Sequence, residues 1–128
     1  MGILVRGPAL EQGETVRWKR AANRTQSYWR AVGGFLFLTA SRLLFEPNRV
    51  DAVTGGESWS APLASIRSVG IEPRDGNPLS GGLRDRLRLD LADGDTELFV
   101  VNHVDDVVNV IRKASANLND ELPRPGGV

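Results

Sequence analysis

The spacing of apolar and polar residues predicts a mainly β chain that ends in one helix. Up to residue 101 the apolar residues form short, often alternating runs, which is the pattern of half-buried strands. The runs "LRLDL" and "TELFVV" flank Asp93 and Gly94, a dipeptide that suits a tight hairpin turn. We therefore predict about seven antiparallel strands in a bent β-sandwich or partly open barrel, capped by a C-terminal helix. The helical apolar stripe consists of Val104, Val107, Val108, Ile111, Ala114 and Leu118.

The stretch "GGFLFLTASRLLFEP" predicts a hairpin that turns at Ala40 and Ser41. A turn of even length pairs Leu36 with Phe45 and Leu38 with Leu43, so these four side chains share one face. We assign that face to the core.

The opposite face of this hairpin would show three large apolar side chains, with Glu46 at its rim. An ordinary antiparallel hairpin presents a polar face to water, and an exposed apolar face is adhesive. We consider three covers: the chain's own termini or helix, a second copy of the chain, or a different partner. The candidate interaction surface is Phe35, Phe37 and Leu44.

The composition is that of one globular domain. The chain has 128 residues, of which 41% are hydrophobic and 25% charged, and no cysteine, so disulfides and thiolate metal sites are excluded. The only apolar run near the start covers residues 3–5, too short for a signal peptide or a membrane span. We expect a cytoplasmic protein with a flexible lead-in at 1–12, one domain at 13–118, and a disordered Pro/Gly tail at 119–128.

The charge balance argues against nucleic acid as a partner. Sixteen basic residues oppose sixteen acidic ones, so the chain as a whole exerts no net pull on a polyanion. Only Lys19 and Lys113 are lysines. This preference for arginine is typical of a GC-rich bacterial genome.

Three motifs in order resemble the GRAM branch of the pleckstrin-homology-like superfamily, over residues 13–116. The first strand of the hairpin ends in Leu-Thr, the second begins with Arg-Leu-hydrophobic-Phe, and a Trp then precedes a Pro-Leu…Ile segment. The resemblance implies a small, single-domain binding module of bacterial type, in a family that binds membrane lipids, especially phosphoinositides, and proteins. The residues that carry it are Leu38, Thr39, Arg42, Leu43, Leu44, Phe45, Trp59, Pro62, Leu63 and Ile66.

The sequence contains no recognisable catalytic, metal or cofactor motif. His103 is the only histidine, and nothing in the sequence supports a nucleophile and an acid beside it. Neither glycine pair fits a phosphate-binding loop, and the aspartates lack calcium-loop spacing. We predict no enzyme activity, no metal and no cofactor.

Basic residues gather in the first strand and the connection after it. In phosphoinositide-binding members of the superfamily, basic residues of this unit grip the headgroup, with Lys/Arg-x-Arg on the second strand. Here Arg30 stands alone on the second strand, and Val32 occupies the place of another Arg. Several such cations contribute about 1 kcal/mol each to attachment at an anionic membrane. The candidate headgroup-binding residues are Arg17, Lys19, Arg20, Arg24 and Arg30.

An aromatic pair and a second group of arginines could also have a function in binding. Tyr28 and Trp29 suit a membrane interface or stacking on single-stranded nucleic acid, but packing in the core is the interpretation we favour. In the "LRLDL" strand, the leucines should point inward and Arg86 and Arg88 outward, and with Arg84 they form a second basic stripe that neighbouring acids neutralise.

Two hypotheses follow. The first is a protein-interaction or self-association module that uses the apolar hairpin face, with a protein partner or a homo-oligomer as its occupant. The alternative is weak, salt-sensitive attachment to anionic lipid headgroups, which would place the protein peripherally at the inner membrane surface.

Overall fold

The computed structural model describes residues 8–79 and 81–121, with side chains to residue 116. Its elements confirm the predicted order of seven strands followed by a helix. The strands are β1 (Trp18–Ser27), β2 (Arg30–Leu38), β3 (Arg42–Pro47), β4 (Trp59–Pro62), β5 (Ile66–Glu72), β6 (Arg86–Leu91) and β7 (Thr96–Val101), and the helices are α1 (Arg49–Val53) and α2 (Val104–Glu121), with a 3-10 turn at Leu63–Ser65.

All seven strands belong to one antiparallel sheet with the order β4-β3-β2-β1-β7-β6-β5. In a flat sheet, residues on β4 and β7 would lie about 19 Å apart, because neighbouring strands are spaced by about 4.8 Å. Yet the ring centroids of Trp59 on β4 and Phe99 on β7 are 5.6 Å apart, and those of Phe45 and Phe99 are 5.8 Å apart. The sheet therefore curls around a single core.

Helix α2 packs its apolar stripe against this core. Val107, Val108 and Ile111 are buried, and the stripe fits the predicted helical period. Arg112 donates two hydrogen bonds, of 3.0 Å and 2.7 Å, to the carbonyl of Val69 on the edge strand β5. The side chain of Leu118, the last member of the predicted stripe, lies outside the described residues.

The register of the β2–β3 hairpin confirms the sequence prediction. Leu36 pairs with Phe45 and Leu38 with Leu43, and all four side chains are buried in the core cluster. The predicted fold marker Trp59 packs against the same cluster.

Two helical features differ from the prediction of a single C-terminal helix that ends before residue 119. Helix α1 is an additional element, and the side chain of Asn48 caps it by accepting from the Asp51 amide at 2.8 Å. Helix α2 extends to Glu121, three residues into the predicted tail. The parts of the predicted lead-in and tail at 1–7 and 122–128 lie outside the described residues.

Candidate binding surfaces

The outer face of the β2–β3 hairpin is not exposed in the single chain, which corrects the sequence prediction. Phe37 is 4% exposed and Leu44 2% exposed, while Phe35 is half-buried. Phe37 lies opposite Leu44 in the sheet, and Phe35 lies opposite Glu46, so the predicted grouping of these side chains is correct. The sequence did not predict that other parts of the chain bury Phe37 and Leu44.

Lys19 of the first strand supplies part of that cover. The ammonium group of Lys19 lies 4.5 Å from the ring centroid of Phe35 and 5.8 Å from that of Phe37, a cation–π arrangement. Ala9 and Leu44 are among the residues that line an open depression of about 190 Å³ on this face. Phe37 and Leu44 are buried in the single chain, so of the three covers considered the chain itself suffices.

A network of hydrogen bonds centred on Glu14 fastens the lead-in to the hairpin. The Glu14 carboxylate accepts from Arg42 Nε at 2.8 Å, Arg42 Nη2 at 2.7 Å and the Thr39 hydroxyl at 2.8 Å. Arg42 Nη2 also donates to the carbonyl of Ala9 at 2.8 Å. The bonds from Arg42, together with the backbone N–H of Glu11, lower the pKa of Glu14 from 4.5 to about 2.

Two of the five predicted headgroup-binding residues are engaged by acids of the same chain. Arg24 Nε lies 2.9 Å from Glu97 on β7, and both side chains are largely buried. Arg30 lies 3.7 Å from Asp51 of α1 and also donates to the backbone and side chain of Thr54. These contacts leave little of either guanidinium for an anionic headgroup.

The other three predicted basic residues point to different places. Arg20 stacks on Trp18, with 5.4 Å from its guanidinium carbon to the ring centroid, and donates to the carbonyl of Asn102. Lys19 covers the phenylalanines of the hairpin, and Arg17 lies exposed beside a shallow depression near the lead-in. The structure therefore does not bring the five residues together into one cluster.

Arg86 is buried, which corrects the expectation that it forms part of an exposed basic stripe. Only 2% of its side chain is exposed, because the β5–β6 loop covers it. Its guanidinium donates to Thr25 on β1 at 3.1 Å and to Asp75 of the loop at 3.1 Å. Arg88 is partly exposed and bonded to Glu72 and Asp90, as the predicted local ion pairing requires.

Exposed apolar side chains are concentrated at one end of the sheet. Tyr28 is 64% exposed and Trp29 is 70% exposed in the β1–β2 turn, so the core-packing interpretation of these aromatics is wrong. Among the described residues, the large exposed apolar side chains elsewhere are Leu10, Val16 and Ile71. We call the following six side chains the apolar rim: Tyr28, Trp29, Val50, Val53, Leu79 and Leu83.

Hydrogen bonds hold together the three segments that carry the apolar rim. The side chain of Asn77 donates to the carbonyl of Tyr28 at 2.9 Å, and the amide of Ala31 donates to the carbonyl of Leu79 at 2.9 Å. Arg30 connects the β1–β2 turn to α1 through Asp51 and Thr54. These backbone and side-chain hydrogen bonds therefore fix the three segments of the rim relative to one another.

The sequence contained a signal for part of this rim. Asn48 followed three residues later by Asp51 is typical of a helix N-terminus. A helix starting there places Val50 and Val53 on one face, because residues three apart are neighbours on a helix surface. Leu79 and Leu83 lie in a Gly-rich loop whose path no local pattern predicts.

The acidic and histidine side chains of the described residues are dispersed. They contain no group of three or more His, Asp or Glu side chains placed to hold a metal ion. His103 is exposed at the start of α2, where its carbonyl accepts from the amides of Asp106 and Val107. No helix in the described part of the chain is long and apolar enough to cross a membrane.

Comparison with solved structures shows a pleckstrin-homology-like fold. The Vps36 N-terminal PH domain is 17% identical over 89% of this chain and 88% of that one, with a TM-score of 0.62. The hSac2 domain of human phosphoinositide phosphatase Sac2 is 15% identical over 85% and 74% of the two chains, with a TM-score of 0.58. The C-terminal domain of an unknown protein from Leishmania infantum is 14% identical over 81% and 86%, with a TM-score of 0.61.

No protein-family model matches the chain, and a search of curated proteins found no match. At these identities the structural similarity shows the fold alone. The GRAM branch and the bacterial origin predicted from the sequence stay predictions.

Proposed function

We propose that the chain is a non-enzymatic binding module that contacts a protein partner through the apolar rim. The observation that carries the proposal is the exposure of Tyr28 and Trp29, 64% and 70%, at the end of the sheet where four aliphatic side chains are also exposed. Contiguous apolar surface on a soluble domain marks a contact surface, and Tyr and Trp are the residues that most often dominate such contacts.

The rim replaces the hairpin face as the candidate interaction surface. Phe37 and Leu44 are already buried within the single chain, so a partner would gain little apolar burial from them. The rim side chains, in contrast, are half or more exposed and stand on loops that are tied to one another. A surface held in place before binding loses less conformational entropy when a partner docks.

The charge distribution favours a protein over an anionic membrane. Two of the predicted headgroup-binding arginines, on the strands that flank the aromatic turn, face acids of the same chain: Arg30 with Asp51, and Arg24 with Glu97. Attachment to anionic lipid depends on basic groups that are free to approach the headgroups. The headgroup alternative thereby loses the two predicted cations that lie closest to the aromatic turn.

A photocrosslinking amino acid at position 29, introduced into the protein in its native cells, tests the proposal. We expect a discrete protein adduct that disappears when Val53→Asp and Leu79→Asp are added, because both changes place charge in the rim. The same crosslinker at position 71, an exposed apolar position on β5 outside the rim, is the matched control and should give no such adduct.

Sedimentation with lipid vesicles tests whether the rim binds a membrane instead of a protein. If the wild-type chain pelleted with vesicles containing phosphatidylserine and Trp29→Ser abolished the pelleting, the rim would be a membrane contact and the proposal would be wrong. Absence of any rim-dependent protein adduct would overturn it as well.

A further inference from the structure

We infer that the occupant of the apolar rim is a second copy of this chain, so that the module forms a two-fold dimer end to end. The inference rests on the proposed function, since it names the partner of the same surface. Three properties of the rim argue for it: its charge, its size and its rigidity.

Two pairs of opposite charges lie within the segments that carry the rim. Arg30 faces Asp51 at 3.7 Å, and in the β5–β6 loop Arg74 faces Asp85 at 3.6 Å. A two-fold contact brings each patch against an identical one, so a patch with a net charge would repel its own copy. Internal pairing removes that repulsion and leaves an apolar surface that is compatible with itself.

The exposed area is of the size that a dimer uses. Complete burial of a Tyr or Trp side chain removes about 150–250 Å² of surface, and Tyr28 and Trp29 still expose about two-thirds of theirs. The remaining rim side chains are 53–83% exposed, so the six together approach the roughly 800 Å² per partner of a standard interface. A contact restricted to the aromatic turn would fall short of that area, which is why all three loops enter the proposal.

The rim is also organised before any contact forms. The rings of Tyr28 and Trp29 pack edge to face, with centroids 4.7 Å apart, and the turn that carries them is bonded to Asn77. In a two-fold arrangement, the outer face of this aromatic pair on one copy meets the aliphatic side chains of the other copy. Each copy then contributes both an aromatic pair and a set of aliphatic side chains to the contact.

Sedimentation equilibrium from about 1 μM to 1 mM tests the inference, a range that spans weak to moderate dimers. We expect the wild-type chain to pass from monomer to dimer, and Trp29→Ser to raise the dissociation constant by about thirty-fold, the effect of truncating a hot-spot residue. Ile71→Ser, at an exposed position outside the rim, is the control and should dimerise as the wild type does. Matching urea-unfolding midpoints for the variants confirm that the changes act on association.

A wild-type chain that stays monomeric at every concentration would overturn the inference, as would a dimer that Trp29→Ser leaves intact. The proposed function is judged separately. If the chain is monomeric and the crosslinker at position 29 still captures a different protein in a rim-dependent manner, the proposed function stands and the dimer fails. Rim-dependent pelleting with vesicles would overturn both.

Discussion

Arg42 donates two charge-assisted hydrogen bonds to the Glu14 carboxylate, from Nε to Oε2 at 2.8 Å and from Nη2 to Oε1 at 2.7 Å. The pair joins the segment before β1 to the first residue of β3, and Thr39, just after β2, donates to the same carboxylate. Arginine matches a carboxylate in this two-pronged geometry, which fixes orientation as well as distance. The contact therefore holds the segment before β1 against the start of β3, as does the bond from Arg42 to the Ala9 carbonyl.

The Glu14 contact predicts a loss of stability in acid. The pKa of Glu14 is lowered to about 2 in the folded chain from an ordinary value of 4.5, so the folded state favours the ionised form. Its contribution is complete above about pH 4.5 and is lost as the pH falls toward 2. Urea unfolding from pH 7 to pH 2 should show this loss in the wild type and a smaller one in Glu14→Gln. Glu57→Gln, at an exposed position, is the control and should lose stability in acid as the wild type does. If Glu14→Gln lost as much stability in acid as the wild type, this prediction would be wrong.

Phe37→Ser should destabilise the fold rather than act on association alone. Removing a buried phenylalanine costs about 3–5 kcal/mol, and Phe37 is 4% exposed. Phe35→Ser removes a half-buried ring from the same face and should cost clearly less. Urea unfolding of both variants checks the order. If Phe37→Ser kept wild-type stability while changing the association state, the hairpin face would be an interface after all.

Gly34→Ala should disrupt the pairing of β2 with β3. A Cβ atom at Gly34 would lie 2.1 Å from the backbone oxygen of Glu46, closer than atoms can approach without moving a strand. We expect a loss of at least about 2 kcal/mol, since a backbone shift of this kind exceeds ordinary overpacking. Gly70→Ala is the matched control, because a Cβ there has open space within 4 Å. Comparable unfolding midpoints for the two variants would contradict the register of this hairpin.

Arg86→Met should loosen the β5–β6 loop. The guanidinium connects Thr25 of the sheet to Asp75 of the loop, and bonds to charged groups contribute about 1.5–3 kcal/mol. Hydrogen exchange should become faster at the amides of Gly76 and Gly82, which bond within the loop. Exchange at β2 and β3 is the internal control and should not change. Unaltered protection of the loop amides would show that Arg86 does not hold it.

The fold was predictable because its signals are local. The period of two in "LRLDL" and the even turn at Ala40 and Ser41 fix which side chains point inward, and the change to a helical period marks α2. The pairing of Leu36 with Phe45 follows from those two facts alone. Neither requires knowledge of any residue distant in the chain.

The binding surface was not predictable because it depends on distant partners. Arg24 looked like a free cation, yet its carboxylate partner Glu97 is 73 positions away. Likewise, Glu14 binds Arg42, which lies 28 positions further along the chain. The exposure of Trp29 depends on how a turn and two loops meet, which no local pattern encodes.

A dilution series of ¹⁵N–¹H correlation spectra shows residue by residue whether the apolar rim is the contact surface. We predict that, as the chain is concentrated, amide shifts change in the segments around Trp29, Val53 and Leu79 and stay constant around Phe37 and Ile71. Shifts that move at the hairpin face instead, or spectra that do not change with concentration, would contradict the assignment of a self-associating rim.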